Sequence, residues 1–377
     1  MISGTVYIES GKIREVSEGN IEVADAQVID AQGLYVSPGF IDMHTHGAGN
    51  HDFMDGTVEA YLKSAETHAA YGTTSLYPTT LASTVDELMH TFSVYNEAKS
   101  KNRKGASFLG LHLEGPYFSM KQKGAQDPKY IRNPEKEEYL SILQASNEIK
   151  RWSSAPELSG SKEFAETLRA FDVLPAIAHS DAIYEEVEEA YDWGFTHVTH
   201  FYSCMSSVTR RNAFRYAGIV EAAYLIPGMT IEIIADGIHL PASLLKLVYQ
   251  IKGAEKIALV TDSMRGAGMP DGLSILGSKT NGQQVLIEDG VAKLMDRTAF
   301  AGSVATADRL VRVMTTLGEV PLLEAVRMIT STPAKIMGID KTKGSLATGK
   351  DADVVIFNRD IEVKVVIING ELILNKI

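Results

Sequence analysis

The sequence predicts an α/β protein: a (β/α)8 TIM-like barrel with a small β-sandwich domain formed from both chain termini. Three observations predict it. Short apolar runs alternate with helical segments through the middle of the chain, short strands sit at both ends, and ligand-type polar residues come directly after one apolar run after another. A length of 377 residues suits one large barrel plus an appendage.

In chain order, residues 1–37 read as short strands: Thr5–Ile8, Lys12–Val16, Ile21–Val23 and Gln27–Asp30. Such a group cannot bury enough surface alone. The C-terminus supplies partners in Ala352–Phe357, Val363–Ile367 and Glu371–Leu374, the last two joined by Asn369-Gly370. The expected organisation is therefore one discontinuous β domain, 1–37 plus 347–377, with a barrel at 38–346 inserted between its halves. The run Pro38-Gly39-Phe40-Ile41-Asp42-Met43-His44-Thr45-His46-Gly47 opens the barrel. Side chains at i and i+2 of a strand share a face, so His44 and His46 point the same way. Further strands are expected at Gly72–Tyr77, Phe108–Leu113, Leu174–Ala178, His197–Thr199, Thr230–Ile234 and Ile257–Val260. Helical patterns lie between them, at Thr57–Ala70, Asp181–Trp193 and Pro241–Ile251. Repeated βα units imply a parallel sheet.

Composition narrows the function classes. The chain is 45% hydrophobic and 22% charged, ordinary values for a soluble globular enzyme. A formal net charge of −12 argues against nucleic acid as partner, while leaving room for a local basic pocket that takes a small phosphorylated ligand. Cys204 is the single cysteine, so no intramolecular disulfide forms and a reducing compartment is expected. Met1 to Gly11 has no secretory pattern, and no apolar stretch approaches the ~18 residues of a membrane span. The expectation is a cytoplasmic protein that engages no membrane.

The polar residues at the ends of the apolar runs carry the chemistry. Phe108–Leu113 leads into Glu114, Leu174–Ala178 into His179, and His197–Thr199 into His200. Ile231–Ile234 leads into Asp236-Gly237-Ile238-His239, and Ile257–Val260 into Asp262. In a (β/α)8 barrel the C-terminal strand ends share one face, where active sites are built. Residues far apart in sequence would meet there. Three or four His and carboxylate ligands with an open position make a catalytic metal site rather than a closed structural one. Inside its apolar run, His112 reads as a core histidine or a support to the ligands. His51, His68, His90 and His197 read as structural or solvated, and Asp42 and Thr45 as hydrogen-bond partners of the ligands or the turn.

The sequence resembles the amidohydrolase superfamily and, within it, the N-acetylglucosamine-6-phosphate deacetylase family. The resemblance rests on Pro38–Asp42, His112-Leu113-Glu114-Gly115-Pro116, His179-Ser180-Asp181, Thr199–Tyr202, Ala235-Asp236-Gly237-Ile238-His239, Val260-Thr261-Asp262 and Ala301-Gly302-Ser303. It implies that Glu114, His179 and His200 hold a primary divalent metal, zinc or iron, with Asp262 as general base and acid. Relatives that keep His-x-His use the pair for a second ion, so His44 and His46 open a two-metal site. The resemblance also implies a homodimer and a sugar phosphate substrate. The substrate would lie near Ala125, Gln126, Ser203, Cys204, Arg211, Asp236, His239, Phe300, Ala301 and Gly302, with the arginine supplied by the neighbouring subunit.

This chain departs from the family in three places. Ser203-Cys204 stands where Asn-Ala is usual, and Gln126 where a histidine is often found. Thr209–Tyr216 carries Arg210, Arg211 and Arg215 in place of an Arg-Glu-Pro-Gly form. Glutamine donates a hydrogen bond but cannot carry a proton as imidazole does. The implied reaction is hydrolysis of the N-acetyl group of N-acetyl-D-glucosamine 6-phosphate. The galacto epimer, another amide, and a non-catalytic scaffold are the alternatives.

Overall fold

The computed structural model describes residues 1–377. Eight parallel strands, numbered β1 to β8 in chain order, make the central sheet. They are β1 Phe40–Thr45, β2 Thr73–Thr80, β3 Leu111–Glu114, β4 Ile149–Ser154, β5 Leu174–Ile177, β6 His197–Val198, β7 Thr230–Ile233 and β8 Ile257–Leu259. Each hydrogen-bonds the next in sequence, the order of a (β/α)8 barrel. Strands covered on both faces read as unbroken apolar runs, which is why most were legible. The sequence of β4, Ile149-Lys150-Arg151-Trp152-Ser153-Ser154, hides its place because its charge and hydroxyls are buried inward. The expected run over 108–113 is interrupted: Ser107–Phe108 pairs β2 separately, and Gly110 takes a positive φ before β3 begins.

The barrel is nearly closed, and loop groups finish it between β8 and β1. The Asp262 N–H donates to the His44 carbonyl (2.9 Å) and the His46 N–H to the Ser263 carbonyl (2.8 Å). The buried Asp42 carboxylate accepts the Thr261 hydroxyl (2.6 Å) and N–H (3.2 Å).

Helices appear where the patterns place them. Val58–Ala70 starts at Thr57, whose hydroxyl accepts the Ala60 N–H. Tyr184–Trp193 stops at Gly194 in the left-handed region, and Ala242–Lys252 comes after Pro241. Their apolar faces close two cores over the strands, one around Phe195, Ile231 and Leu310, the other around Tyr61, Trp152 and Phe164. No helix is long and apolar enough to cross a membrane.

Both chain ends meet in one antiparallel sheet, ordered 371–375, 363–368, 354–357 and 35–38. Asn369 and Gly370, both with positive φ, make the two-residue turn. The hairpin Gly4–Glu9/Lys12–Glu18 forms its own two-stranded sheet, and Ile8 packs against Val354, Ile356, Val365 and Ile367. The expected strands Ile21–Val23 and Gln27–Asp30 are irregular instead. They pair with neither sheet, and Val28 is left exposed, so alternation alone does not make a strand there. Outside the barrel, two larger β elements and the short pair Gly47–Ala48/His51–Asp52 escaped the sequence reading. One is a three-stranded sheet, Gly272–Leu276, Gln283–Glu288 and Val291–Leu294; the other is the ribbon Thr209–Arg211/Phe214–Tyr216.

One buried ion pair ties the terminal sheet to the barrel. Lys343 Nζ lies 2.6 Å from Asp353 Oδ2, and the backbone of Asp353 receives the Gly39 N–H at the entrance to β1. Lys343→Met leaves Asp353 buried without a counter-charge. It should lower stability by ~3 kcal/mol, read as a lower urea midpoint. An unchanged midpoint would mean that the pair contributes nothing.

Candidate active site

The five residues expected to ligate metal, and Asp262, the expected base, all lie at the C-terminal ends of the barrel strands, and all are buried. His44 is in β1 and His46 just beyond it; Glu114 ends β3; His179, His200 and Asp262 come just after β5, β6 and β8. The last three have φ of 47°, 28° and 45°, the left-handed region that side chains with a Cβ avoid. Each such residue costs on the order of 1–3 kcal/mol and is found where function fixes the backbone.

These residues form two clusters, His44–His46–Asp262 and Glu114–His179–His200. Within each, the candidate ligand atoms lie within 4.8 Å of one another. Glu114 joins the two. Its Oε1 is 3.2 Å from His200 Nε2 and 3.4 Å from His44 Nε2, and its Oε2 is 3.4 Å from His46 Nε2. Asp262 Oδ1 is 3.3 and 3.2 Å from the His44 and His46 Nε2 atoms.

The imidazoles are oriented to ligate. His46 Nδ1 faces the Thr79 carbonyl (3.3 Å) and His179 Nδ1 the Gln122 carbonyl (2.8 Å). A carbonyl only accepts, so Nδ1 keeps a proton and Nε2 is the nitrogen turned to the cluster, free to ligate once it carries none. His44 Nδ1 is held by the Glu232 carboxylate (2.6 Å). His44 and His46 Nε2 then stand 3.3 Å apart, and His179 and His200 Nε2 3.2 Å apart. Lone pairs at that distance repel unless a proton or a cation lies between them. Nitrogen and carboxylate donors in this number suit a divalent transition metal, so the residues present fit one.

Burial opposes charge throughout the site, and neighbours overcome it. Burial works to raise the Glu114 pKa, but His44, His179, His200 and His46 hold it well below the usual carboxylate range. Burial likewise disfavours a charged His46, yet Asp262 and Glu114 bring its pKa up to about 10.

The expected substrate residues are only partly gathered. Asp236 accepts the Ile238 and His239 N–H groups and the His239 ring (2.8 Å each), fixing an imidazole that packs on Phe300. Ala301 is buried beside Gly302, whose left-handed turn brings a Cβ position within 3.0 Å of the Asp262 carbonyl. The Ser203 N–H donates to the His200 carbonyl (2.9 Å), and Cys204 Sγ faces Gly124, where a Cβ would stand 2.4 Å away. Ala125 packs beside the Met264 cluster. Gln126 differs from expectation. Its carbonyl accepts the Ala82 N–H and its amide donates to Glu114 Oε2 (2.8 Å), so it holds a ligand and keeps only one N–H for a substrate. Arg211 does not join the others. It lies on the exposed 209–216 ribbon, its guanidinium 5.4 Å from the Tyr216 ring centroid.

Beneath the ligands lies a buried layer the sequence reading missed. Glu232 of β7 pairs with Arg151 of β4, which also donates to Thr199 (2.7 Å) and the Met43 carbonyl (3.3 Å). His197 is buried 3.4 Å from Glu232 and 2.8 Å from Thr230, so it is structural rather than solvated. His112 bridges Thr79 and Ser153 under His44, as its place in an apolar run implies. The signal available was a charged residue, Glu232, inside an apolar strand; Arg151 stands in a strand with no apolar run to mark it.

Comparison with known proteins extends this picture. The amidohydrolase family model matches residues 35–373. N-acetylglucosamine-6-phosphate deacetylase of Bacillus subtilis is 32% identical, covering 98% of this chain and 92% of that one. N-acetylgalactosamine-6-phosphate deacetylase of Escherichia coli O157:H7 is 31% identical over 93% and 91% of the two. The crystal structure of N-acetylglucosamine-6-phosphate deacetylase from Pasteurella multocida superposes with a TM-score of 0.92 at 27% identity, covering 100% of this chain and 96% of that one. The Mycobacterium smegmatis deacetylase in complex with N-acetyl-D-glucosamine-6-phosphate gives 0.88 at 28% identity, over 98% and 94%. With the family model spanning the whole barrel and both of its candidate ligand clusters, this chain belongs to the amidohydrolase family.

Proposed function

We propose that this protein hydrolyses the N-acetyl amide of N-acetyl-D-glucosamine 6-phosphate, giving D-glucosamine 6-phosphate and acetate. The observation that carries this reading is the pair of ligand clusters sharing Glu114 at the barrel rim, with Asp262 against both His44 and His46. The deacetylase relatives, alike over nearly the whole chain, supply the substrate. The galacto epimer is the less favoured alternative.

His44, His46, Glu114, His179 and His200 would hold one or two ions, zinc or iron. A bound divalent metal supplies an acidified water as nucleophile and polarises the acyl oxygen. Asp262 takes the proton of the attacking water and passes it to the departing nitrogen, since an amine leaves an amide only when protonated. Gln126 braces Glu114 through its amide. His239, held by Asp236, presents its other nitrogen to the sugar or its phosphate. The phosphate is read by Arg211, which reaches the site of a neighbouring subunit in a homodimer because its own ribbon is exposed. The reaction belongs in the cytoplasm, as the single cysteine suggests.

Three measurements test this reading. Acetate release should be fast with N-acetylglucosamine 6-phosphate and much slower with the galacto epimer and the unphosphorylated sugar. Faster release from the galacto compound would move the assignment to that epimer. Asp262→Asn should lower turnover by about 10²–10⁴-fold while the Glu114–His179–His200 cluster keeps its metal. Full activity in that variant would remove Asp262 from proton transfer. Metal uptake by metal-free protein at pH 8 should release protons. His46 has a raised pKa of about 10, so it is protonated below that pH and must lose its proton to ligate. Affinity should therefore rise with pH up to about 10, as calorimetry in buffers of different ionisation enthalpy would record. Uptake without proton release would take His46 out of the ligand set.

A further inference from the structure

We propose that Glu232 is a positioning residue for the metal centre, selecting the one tautomer of His44 that can ligate, with Arg151 holding Glu232 in place. The proposal rests on the reading of His44 as a metal ligand. A neutral imidazole carries a single N–H, and the nitrogen with the closer acceptor keeps it. His44 Nδ1 meets Glu232 Oε1 at 2.6 Å, so its Nε2 is left as a lone pair, facing His46 Nε2, Asp262 Oδ1 and Glu114 Oε1 at 3.3–3.4 Å.

The carboxylate that makes this choice is fixed on all sides. Glu232 Oε1 also accepts the His200 N–H (3.1 Å), and Oε2 takes the Arg151 guanidinium, with His197 Nε2 at 3.4 Å. Glu232 and Arg151 are both fully buried, so neither can turn toward water. One oxygen thus touches both clusters: the His44 side chain in one, and in the other the backbone that sets the left-handed turn of His200. A buried ion pair gains little stability over apolar residues of the same volume. Its placement directly beneath the ligands, rather than elsewhere in the core, points to orientation as its role. His46 and His179 are anchored on main-chain carbonyls, which no substitution removes. His44 alone among these three has a side-chain anchor, so here the device can be tested directly.

The test compares wild type, Glu232→Gln and the double variant Arg151→Met/Glu232→Gln, the double variant removing the uncompensated guanidinium. Zinc affinity is measured by competition with a chelator, metal content by mass spectrometry, and the His44 tautomer by long-range proton–nitrogen NMR with and without zinc. Wild type should show Nδ1–H at His44. Both variants should lose about 10–100-fold in affinity at the His44–His46–Asp262 cluster, the usual effect of removing an outer partner of a ligand, and keep it at the Glu114–His179–His200 cluster. The double variant should recover melting temperature without recovering that affinity, which separates orientation from folding. Nε2–H at His44 in wild type, or wild-type affinity at both clusters in either variant, would overturn the proposal. If wild type bound no zinc, the metal reading would fail on its own, and the tautomer would still decide the role of Glu232.

Discussion

The arrangement of this site depends on how the barrel closes between its last strand and its first. No regular ladder joins β8 to β1; Asp42, Thr261, Ser263 and the main chain of His44 and His46 do it. That seam sets Asp262 beside the two histidines of β1. Because the Asp262 N–H binds the His44 carbonyl, the carboxylate and the imidazole it faces belong to one hydrogen-bonded unit. Shifting β8 along β1 would separate them and leave the Glu114 cluster without its neighbour. Closure of the barrel and assembly of the site are the same event.

A site this buried must also balance its charge. With the imidazoles neutral, negative charge exceeds positive below the surface, since Glu114, Asp262 and Glu232 face only the one guanidinium of Arg151. Uncompensated charge at such depth is expensive. A divalent cation would offset that excess, and the raised pKa of His46 records the same pull toward positive charge acting on a proton. Burial and ligand geometry therefore point to the same occupant by independent arguments.

Much of this was legible because a parallel barrel writes itself into sequence simply. Its strands are apolar runs, and its functional residues are the polar ones that end them, so Glu114, His179, His200 and Asp262 could be located without coordinates. The hidden features are those where polarity runs inward. β4 was obscured by Arg151 and its serines, and Glu232 passed as a detail of an apolar strand. Local pattern also misled at 21–30, where alternating residues join no sheet, and it was silent on the ribbon bearing Arg211. Pairing partners and inward-facing charges are properties of the assembled fold, and short windows of sequence do not carry them.

The placement of Gln126 bears on what the departures from the family mean. A glutamine where a histidine is often found reads, from sequence, as a change in a group that touches the substrate. In the structure both ends of its amide are engaged by the protein, with Ala82 on one side and Glu114 on the other. The proton-transfer step assigned to Asp262 needs no ionisable group at position 126. Glutamine there can brace Glu114 at any pH, since an amide does not titrate in the range where imidazole does. The replacement therefore alters how Glu114, which both clusters share, is held.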